Sequence, residues 1–395
     1  MSSLSTPTVE ISPRAAKRLR AGHVWIYRSD VLRAEGAAPG DVVQVKLANR
    51  EGGTHLMGLA FYNPASLITL RLITREARQP DRALWAGLVD RALALRPDRA
   101  KPALAQRLIY AEADELPGLI VDRYGGALVL QTLSAGADRL RDLWVELLVE
   151  RLVPEVVVER NDVSSRKLEG LEERRGILRG SLSGPIEIQE GELRYLVDPL
   201  EGQKTGFYLD QRENRLQAAR YARGRCLDVF SYQGGFGLQL KKAGAERVTL
   251  VDVSDKALHL AGEAARLNQL EIELREENAF DFLRAQAADG ERYDVIVLDP
   301  PAFTKNKDAV DQAVRGYKEL NLRAMRLLTE GGILITSSCS YHMSAQLFED
   351  MLLEASLDVH RTVQVLERRS QAVDHPERLG FPESRYLKCY VLRVI

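Results

Sequence analysis

The stretch Arg225-Cys-Leu-Asp-Val-Phe-Ser-Tyr-Gln-Gly-Gly-Phe-Gly-Leu-Gln-Leu-Lys-Lys-Ala-Gly-Ala-Glu-Arg-Val-Thr-Leu-Val-Asp252 decides how the rest of the chain reads. Cys226 to Phe230 is a short, mostly apolar run of the kind expected for a parallel strand buried on both faces. Gly234, Gly235 and Gly237 turn it into an amphipathic helix, Leu238 to Ala243, and Val248 to Val251 is the second strand. Glycines let a ligand approach backbone that a side chain would shield, and a helix N-terminus offers free N–H groups. Asp252 closes the second strand, where its carboxylate is placed to accept both hydroxyls of a ribose, as in a nucleotide-binding crevice. The glycines do not follow the G-x-G-x-x-G spacing of a dinucleotide turn, and Asp228 suits a cationic ligand better than a pyrophosphate.

Beyond Asp252 the alternation continues: helix Ser254 to Asn268, strand Ile272 to Arg275, helix Phe280 to Ala287, strand Tyr293 to Leu298, helix Ala309 to Leu328, strand Gly332 to Ser337 and helix Ser344 to Ala355. Strand-helix alternation of this type predicts a doubly wound α/β sheet, here closed by an antiparallel hairpin near Thr362 to Leu366 and Tyr386 to Val394. In such sheets ligands bind beyond the carboxyl ends of the strands. Those ends carry Asp228, Phe230, Ser231, Tyr232 and Gly234; Asp252 and Ser254; Asn278, whose amide suits an adenine; Asp299, Pro300 and Phe303; and Cys339. In Asp299-Pro-Pro-Ala-Phe303 the prolines fix the backbone and remove donors, leaving carbonyls for a base amino group and Phe303 for stacking. Just before a further helix, Lys204, Thr205, Phe207, Asp210 and Arg212 form a polar-aromatic edge, read as a lid over the cofactor. Asp210 also reads as a helix N-cap.

Of three cysteines, Cys226 and Cys389 lie in apolar runs and read as inert core thiols, whereas Cys339 lies among small polar residues outside a strand. A thiolate added at carbon 6 of a pyrimidine turns an unreactive carbon 5 into an enamine carbon, and cysteine is suited to that attack. Asp299 is placed to hold the base edge while charge develops. Three dispersed cysteines argue against a disulfide framework or a zinc site, so no metal is expected. No run approaches a membrane span and the N-terminus lacks a basic-then-apolar leader, which places the protein in the cytoplasm.

Net charge is −1, which by itself disfavours a generic polyanion binder, but residues 1–80 hold 11 Lys/Arg against 6 Asp/Glu. That excess fits an RNA-contacting module or a solvated basic face. Short strands between Val9 and Thr74 predict a small β-rich barrel, with helical turns at Arg14 to Arg20 exposing Arg14, Lys17 and Arg18 to RNA. Trp25 and Tyr27 read as core residues, and Arg166 and Lys167 as basic side chains on a loop. The expected divisions are residues 1–75, a helical connector 76–104, a small α/β domain 105–198, and the sheet domain 199–395.

The glycine turn with Asp228 and Asp252 resembles the S-adenosylmethionine site of a class I methyltransferase. Gly202-Gln-Lys-Thr-Gly-Phe-Tyr-Leu-Asp-Gln-Arg212, Leu298-Asp-Pro-Pro-Ala-Phe303, Ser338-Cys-Ser340, Asn63-Pro-Ala-Ser66 and Leu116-Pro-Gly-Leu-Ile-Val-Asp-Arg-Tyr-Gly125 extend the likeness over nearly the whole chain. It is similar to the bacterial large-subunit (23S) ribosomal RNA 5-methylcytosine methyltransferases with an N-terminal PUA domain. The resemblance implies a β-rich PUA module, a middle domain and a Rossmann-like methyltransferase domain. It also implies S-adenosylmethionine as cofactor, ribosomal RNA as partner and Cys339 as nucleophile, and leaves a homodimer open. By the same resemblance, Lys204 to Arg212, Asp228 to Tyr232, Asp252, Asn278 and Asp299 line the cofactor. Two positions depart from the pattern: Asn278 stands where an adenine-contacting acid is expected, and Asp299-Pro-Pro-Ala-Phe303 lacks a second cysteine. Two alternatives therefore stay open, an RNA N-methyltransferase acting on guanine or adenine, and a non-catalytic RNA-binding protein.

Overall fold

A computed structural model describes residues 6–48, 53–96, 104–303 and 310–395. The chain divides into two compact units, one of Met1–Ile186, Val197–Phe207 and Val373–Ser384, the other of Glu187–Leu196, Tyr208–Ala372 and Arg385–Ile395.

The first unit begins with β1 (Thr8–Ile11), α1 (Pro13–Arg20), β2 (Trp25–Tyr27), β3 (Val31–Glu35), β4 (Val42–Ala48), β5 (Thr54–Tyr62) and β6 (Ile68–Thr74). These strands form one sheet in the order β2-β6-β5-β4-β1-β3, in which only β1 and β4 run parallel. Then come α2 (Arg82–Ala94), β7 (Ala105–Tyr110), β8 (Leu119–Tyr124), β9 (Ala127–Thr132), α3 (Ala135–Arg139), α4 (Arg141–Leu152), β10 (Val156–Arg160) and β11 (Arg175–Gly180). Their sheet runs β11-β10-β9-β8-β7. Alternation along β5 serves two cores: Ala60 and Tyr62 join Val9, Ile26 and Leu70, while Leu59 and Phe61 join Trp85 and Trp144. Phe61 stacks on Trp85 at 5.7 Å, so α2, expected as a connector, is itself part of a core.

Ile26 fills the core and the half-buried Trp25 packs against it, its indole donating to Glu112 at 2.8 Å. Two readings of side chains in this unit are corrected. Tyr27 is half-buried and is not among the residues of that core. Arg166 is fully buried, donating to Thr132, Asp138 and the Glu172 carbonyl, and is not available to RNA. Lys167 is exposed and pairs with Glu173 at 2.9 Å.

Next in the chain comes a two-stranded sheet, the hairpin β12 (Ile186–Glu190) and β13 (Leu193–Val197). The second unit continues with α5 (Arg212–Ala218), β14 (Arg225–Val229), α6 (Gly235–Lys242), β15 (Arg247–Asp252), α7 (Asp255–Leu267), β16 (Glu273–Glu276), α8 (Ala279–Ala288) and β17 (Tyr293–Leu298). It ends with α9 (Val310–Leu327), β18 (Leu328–Ser338), α10 (Ala345–Asp358), β19 (Val363–Arg369) and β20 (Lys388–Val394). The sheet runs β16-β15-β14-β17-β18-β20-β19, parallel from β16 to β18 and antiparallel at β20 and β19. Leu227, Val229 and Ile296 feed the core on one face, and Cys226, Val295 and Val297 the core on the other. Both faces are covered, as a parallel sheet requires. Successive strands leave β14 in opposite directions, which puts the topological switch point, where ligands of such sheets bind, at the carboxyl ends of β14, β15 and β17. Among the described residues no helix is long and apolar enough to cross a membrane.

Candidate active site

The loop after β14 is built for close approach. Phe230 (φ 64°), Tyr232 (φ 50°) and Gly234 (φ 73°) all take left-handed backbone. Non-glycine residues there cost about 1–2 kcal/mol each, strain of the kind that collects at ligand sites. Asp228 Oδ2 accepts the Gly237 N–H at 2.8 Å, so the strand's own acid caps the following helix. Its Oδ1 is buried without a hydrogen-bond partner, as are Ser231 Oγ and Gln233 Oε1. Burial pushes the Asp228 carboxyl up to about 8; Asp299 and Asp252 add repulsion, and the Gly237 N–H opposes both. Asp252 binds the Tyr232 N–H at 2.8 Å through one oxygen and the Ser254 N–H at 3.0 Å through the other. Ser254 caps α7, and Asn278, beyond β16, caps α8 through its carboxamide oxygen. Asp299 Oδ1 accepts from Gln211 Nε2 at 2.8 Å, and the same nitrogen lies 3.2 Å from Ser337 Oγ. Cys339 follows β18, partly exposed between the buried Ser338 and Ser340. Cys226 and Cys389 are buried, and burial pushes their thiols up to about 11 and about 12.

Residues 176–383 match the S-adenosylmethionine-dependent methyltransferase family, and residues 9–75 match a PUA-like domain. The ribosomal RNA large subunit methyltransferase I of Shewanella frigidimarina is 42% identical over 98% of this chain and 99% of its own. The chain belongs to this methyltransferase family. The enzyme of that name from Aliivibrio fischeri is 39% identical over 99% of this chain and 100% of its own. Among solved structures, one described as a sam-dependent methyltransferase from Streptococcus mutans has the same fold, with a TM-score of 0.82 at 21% identity over 98% of this chain and 99% of that one. A further one, SMU.776 complexed with SAH, gives 0.84 at 21% identity over the same shares.

The methyltransferase crevice fits its cofactor chemically. S-adenosylmethionine bears a sulfonium and an ammonium, and these strand ends gather the Asp228, Asp252 and Asp299 carboxyl groups with buried polar atoms that lack a hydrogen-bond partner among the described residues. The structure brings Asp228, Phe230, Ser231, Tyr232, Gly234, Asp252, Ser254, Asn278, Asp299, Pro300 and Cys339 to one sheet edge. Asp210 is buried there and accepts from the Tyr386 hydroxyl at 2.6 Å; Gln211, not Asp210, precedes α5 as its N-cap residue. Arg212 pairs with Glu213 at 2.7 Å. Lys204, Thr205 and Phe207 belong to the other unit. There Thr205 is buried, donating to Asp122 at 2.6 Å, and the buried Phe207 meets the Tyr124 hydroxyl through its backbone. Phe303 is half-buried with its ring 4.6 Å from Tyr317, so its stacking partner here is protein.

Two residues of the edge, Tyr317 and Lys388, escaped the sequence reading, and two more, Gln211 and Tyr208, fell inside the Lys204 to Arg212 stretch without roles of their own. Gln211 orients Asp299. Tyr208 meets Tyr232 edge-on at 5.2 Å; burial pushes its hydroxyl well up, with Tyr232, Asp299, Asp210 and Cys339 adding to the rise. Tyr317 lies 3.0 Å from Ser340 Oγ through its hydroxyl, and Lys388 donates to the Ser340 carbonyl at 2.7 Å. Gln211 and Tyr208 lie within the Gly202 to Arg212 stretch, which was a usable signal; Tyr317 and Lys388 lie outside the motif stretches and had none. In the first unit, Arg14 and Arg18 share the buried Asp30 at 3.0 and 2.6 Å, while Lys17 is exposed. Burial would raise the Asp30 carboxyl, but bonds from Ser12, Arg14 and Arg18 outweigh it and hold the group at about 2.

Proposed function

We propose that this methyltransferase forms 5-methylcytosine in large-subunit ribosomal RNA by way of a Cys339 thiolate adduct, in the cytoplasm. The observation that carries the reading is Cys339 itself. Of the three cysteines it alone escapes burial, and it sits at the strand edge that also holds Asp228, Asp252 and Asp299. Bound S-adenosylmethionine supplies an electrophilic methyl group on cationic sulfur. Asp228, Ser231 and Gln233 supply acceptors for its polar groups, and Asp252 keeps lone pairs for a ribose. Addition of the Cys339 sulfur to carbon 6 places electron density on carbon 5. Asp299, braced by Gln211, holds the base edge as that charge develops. Loss of the carbon-5 proton and departure of the thiolate then restore the ring. The divisions 1–75, 76–104, 105–198 and 199–395 are proposed as RNA-binding, connecting, middle and catalytic parts, with Arg14, Lys17 and Arg18 on the RNA side.

The test is incubation with labelled S-adenosylmethionine and unmodified ribosomal RNA, followed by digestion to nucleosides. Labelled 5-methylcytidine is expected from the native protein. Cys339→Ala is expected to lose at least about a thousandfold in rate, the scale for removing a covalent nucleophile. A labelled N-methyl purine that persists in Cys339→Ala sinks the proposal and selects the N-methyltransferase reading.

A further inference from the structure

We propose that Lys388 is a positioning residue that holds Cys339 as a thiolate through the charge of its buried ammonium. The inference rests on the reading of Cys339 as nucleophile and adds the group that prepares it.

Lys388 opens β20, in register with Ser338 of β18. Antiparallel pairing therefore brings a lysine from the far end of the chain beside the turn that carries Cys339. Its Nζ donates to the carbonyls of Ser340 and Tyr386, both at 2.7 Å, and the residue is 6% exposed. A lysine this deeply buried ordinarily has a carboxylate partner, because an ammonium taken out of water is costly. Here the bonds go to two backbone carbonyls, and the charged groups that act on Lys388 are Cys339 and Arg385. Burial pushes the ammonium down to about 8, Cys339 pulls it up, and Arg385 pushes it down. Electrostatic coupling is mutual, so whatever the thiolate does for the ammonium, the ammonium does for the thiolate. Among the described residues the Tyr208 and Tyr317 hydroxyls also act on Cys339, and burial raises both, which keeps them neutral. A neutral amide would tie Ser340 to Tyr386 at lower desolvation cost; the charge is what the thiol uses.

The cycle balances around this pair. The thiolate forms the sulfur–carbon 6 bond as the 5,6 double-bond pair moves to carbon 5, which takes the methyl group from the sulfonium and leaves S-adenosylhomocysteine as a neutral thioether. A solvent base then accepts the carbon-5 proton, the freed C–H pair re-forms the 5,6 double bond, and the sulfur departs with the sulfur–carbon pair as a thiolate beside the same ammonium.

The test is the rate at which iodoacetamide alkylates Cys339 in the full-length protein, followed on the Cys339 peptide by mass spectrometry from about pH 6 to about pH 9.5. Lys388→Gln keeps hydrogen-bond donors for both carbonyls without the charge; Lys388→Arg keeps the charge. At pH 7 the Gln variant is expected to react about tenfold more slowly, with its profile displaced about one pH unit upward, and the Arg variant to stay within about threefold of native. Unchanged S-adenosylhomocysteine affinity and melting temperature establish that both variants fold. A Gln variant that folds and alkylates with the native rate and profile overturns the inference, as does slow alkylation in a folded Arg variant. The nucleoside assay separates this from the function itself. Methyl transfer that survives Cys339→Ala removes the nucleophile reading, whereas slow alkylation in Lys388→Gln still establishes the pairing.

Discussion

Asp228 is a buried carboxyl group that the fold leaves short of hydrogen bonds among the described residues. One oxygen is satisfied by the Gly237 N–H and the other, though buried, has no partner. With the acid pushed up to about 8 by burial and by Asp299 and Asp252, it is mostly protonated at pH 7. A ligand ammonium favours the carboxylate, so binding should expel a proton. Calorimetry of S-adenosylhomocysteine at pH 7 in two buffers of different ionisation heat is expected to show release of roughly one proton, abolished in Asp228→Asn. Buffer-independent heats in the native protein would remove Asp228 from the ligand's ammonium. The same group makes the free protein less stable as pH rises. Its folded value lies above the unfolded 3.8, so the folded state holds the extra proton between about pH 4 and about pH 8. Stability contributed by the protonated form is complete below that window and lost as pH climbs through it. Urea midpoints of native protein and Asp228→Asn should converge toward pH 4 and separate toward pH 8, with the variant the more stable at the upper end.

Helix α6 shows how closely an element is tied to the site. A methyl group at Gly237 would collide with Leu250 and press on Asp228 Oδ2 and Val248. Gly237→Ala gains about 1 kcal/mol of helix propensity and loses about 1–3 kcal/mol to overpacking. The expected outcome is a lower melting temperature together with weaker S-adenosylhomocysteine binding; tighter binding would show that the turn has slack. Helix α5 is fixed to the β12–β13 hairpin by Arg215, which grips Glu190 through two bonds, both side chains being 3% exposed. Breaking a buried pair leaves a lone charge, so Glu190→Ala should cost about 3–5 kcal/mol in denaturant unfolding, and Glu190→Leu with Arg215→Met should recover much of it. At this scale the central strands β14, β15, β17 and β18 were legible because each carries a compact apolar run. The edge strands β3 and β11 were not: their residues are mostly exposed and carry no alternation to read. The sequence from Ala137 to Leu152 reads as one helix, but the structure divides it, since α3 ends at Arg139 and α4 begins at Arg141.

The whole molecule pairs a basic N-terminal β unit with a methyltransferase sheet, and the two roles should separate in solution. Arg14 is 67% exposed despite its bond to Asp30, and Lys17 is exposed. If these side chains meet phosphates, Arg14→Ala with Lys17→Ala should weaken ribosomal RNA binding and reduce the slope of log affinity against log salt by about 1.5. S-adenosylhomocysteine affinity should stay unchanged, and an unaltered salt slope would move the RNA contacts elsewhere. The sequence by itself determined the alternation of strands and helices, the glycine turn with Asp228 and Asp252, and the distinction of Cys339 from Cys226 and Cys389. Those are local properties, set by periodicity, backbone freedom and immediate neighbours. Tertiary structure alone decided that Arg166 is buried, that Tyr27 leaves the core to Ile26 and Trp25, and that burial pushes the Asp228 carboxyl up. It also set Lys388 opposite Ser338, fifty positions away in the chain, beside the reactive turn. Burial and charge coupling depend on which distant residues the sheet register brings together, and no local pattern carries that information.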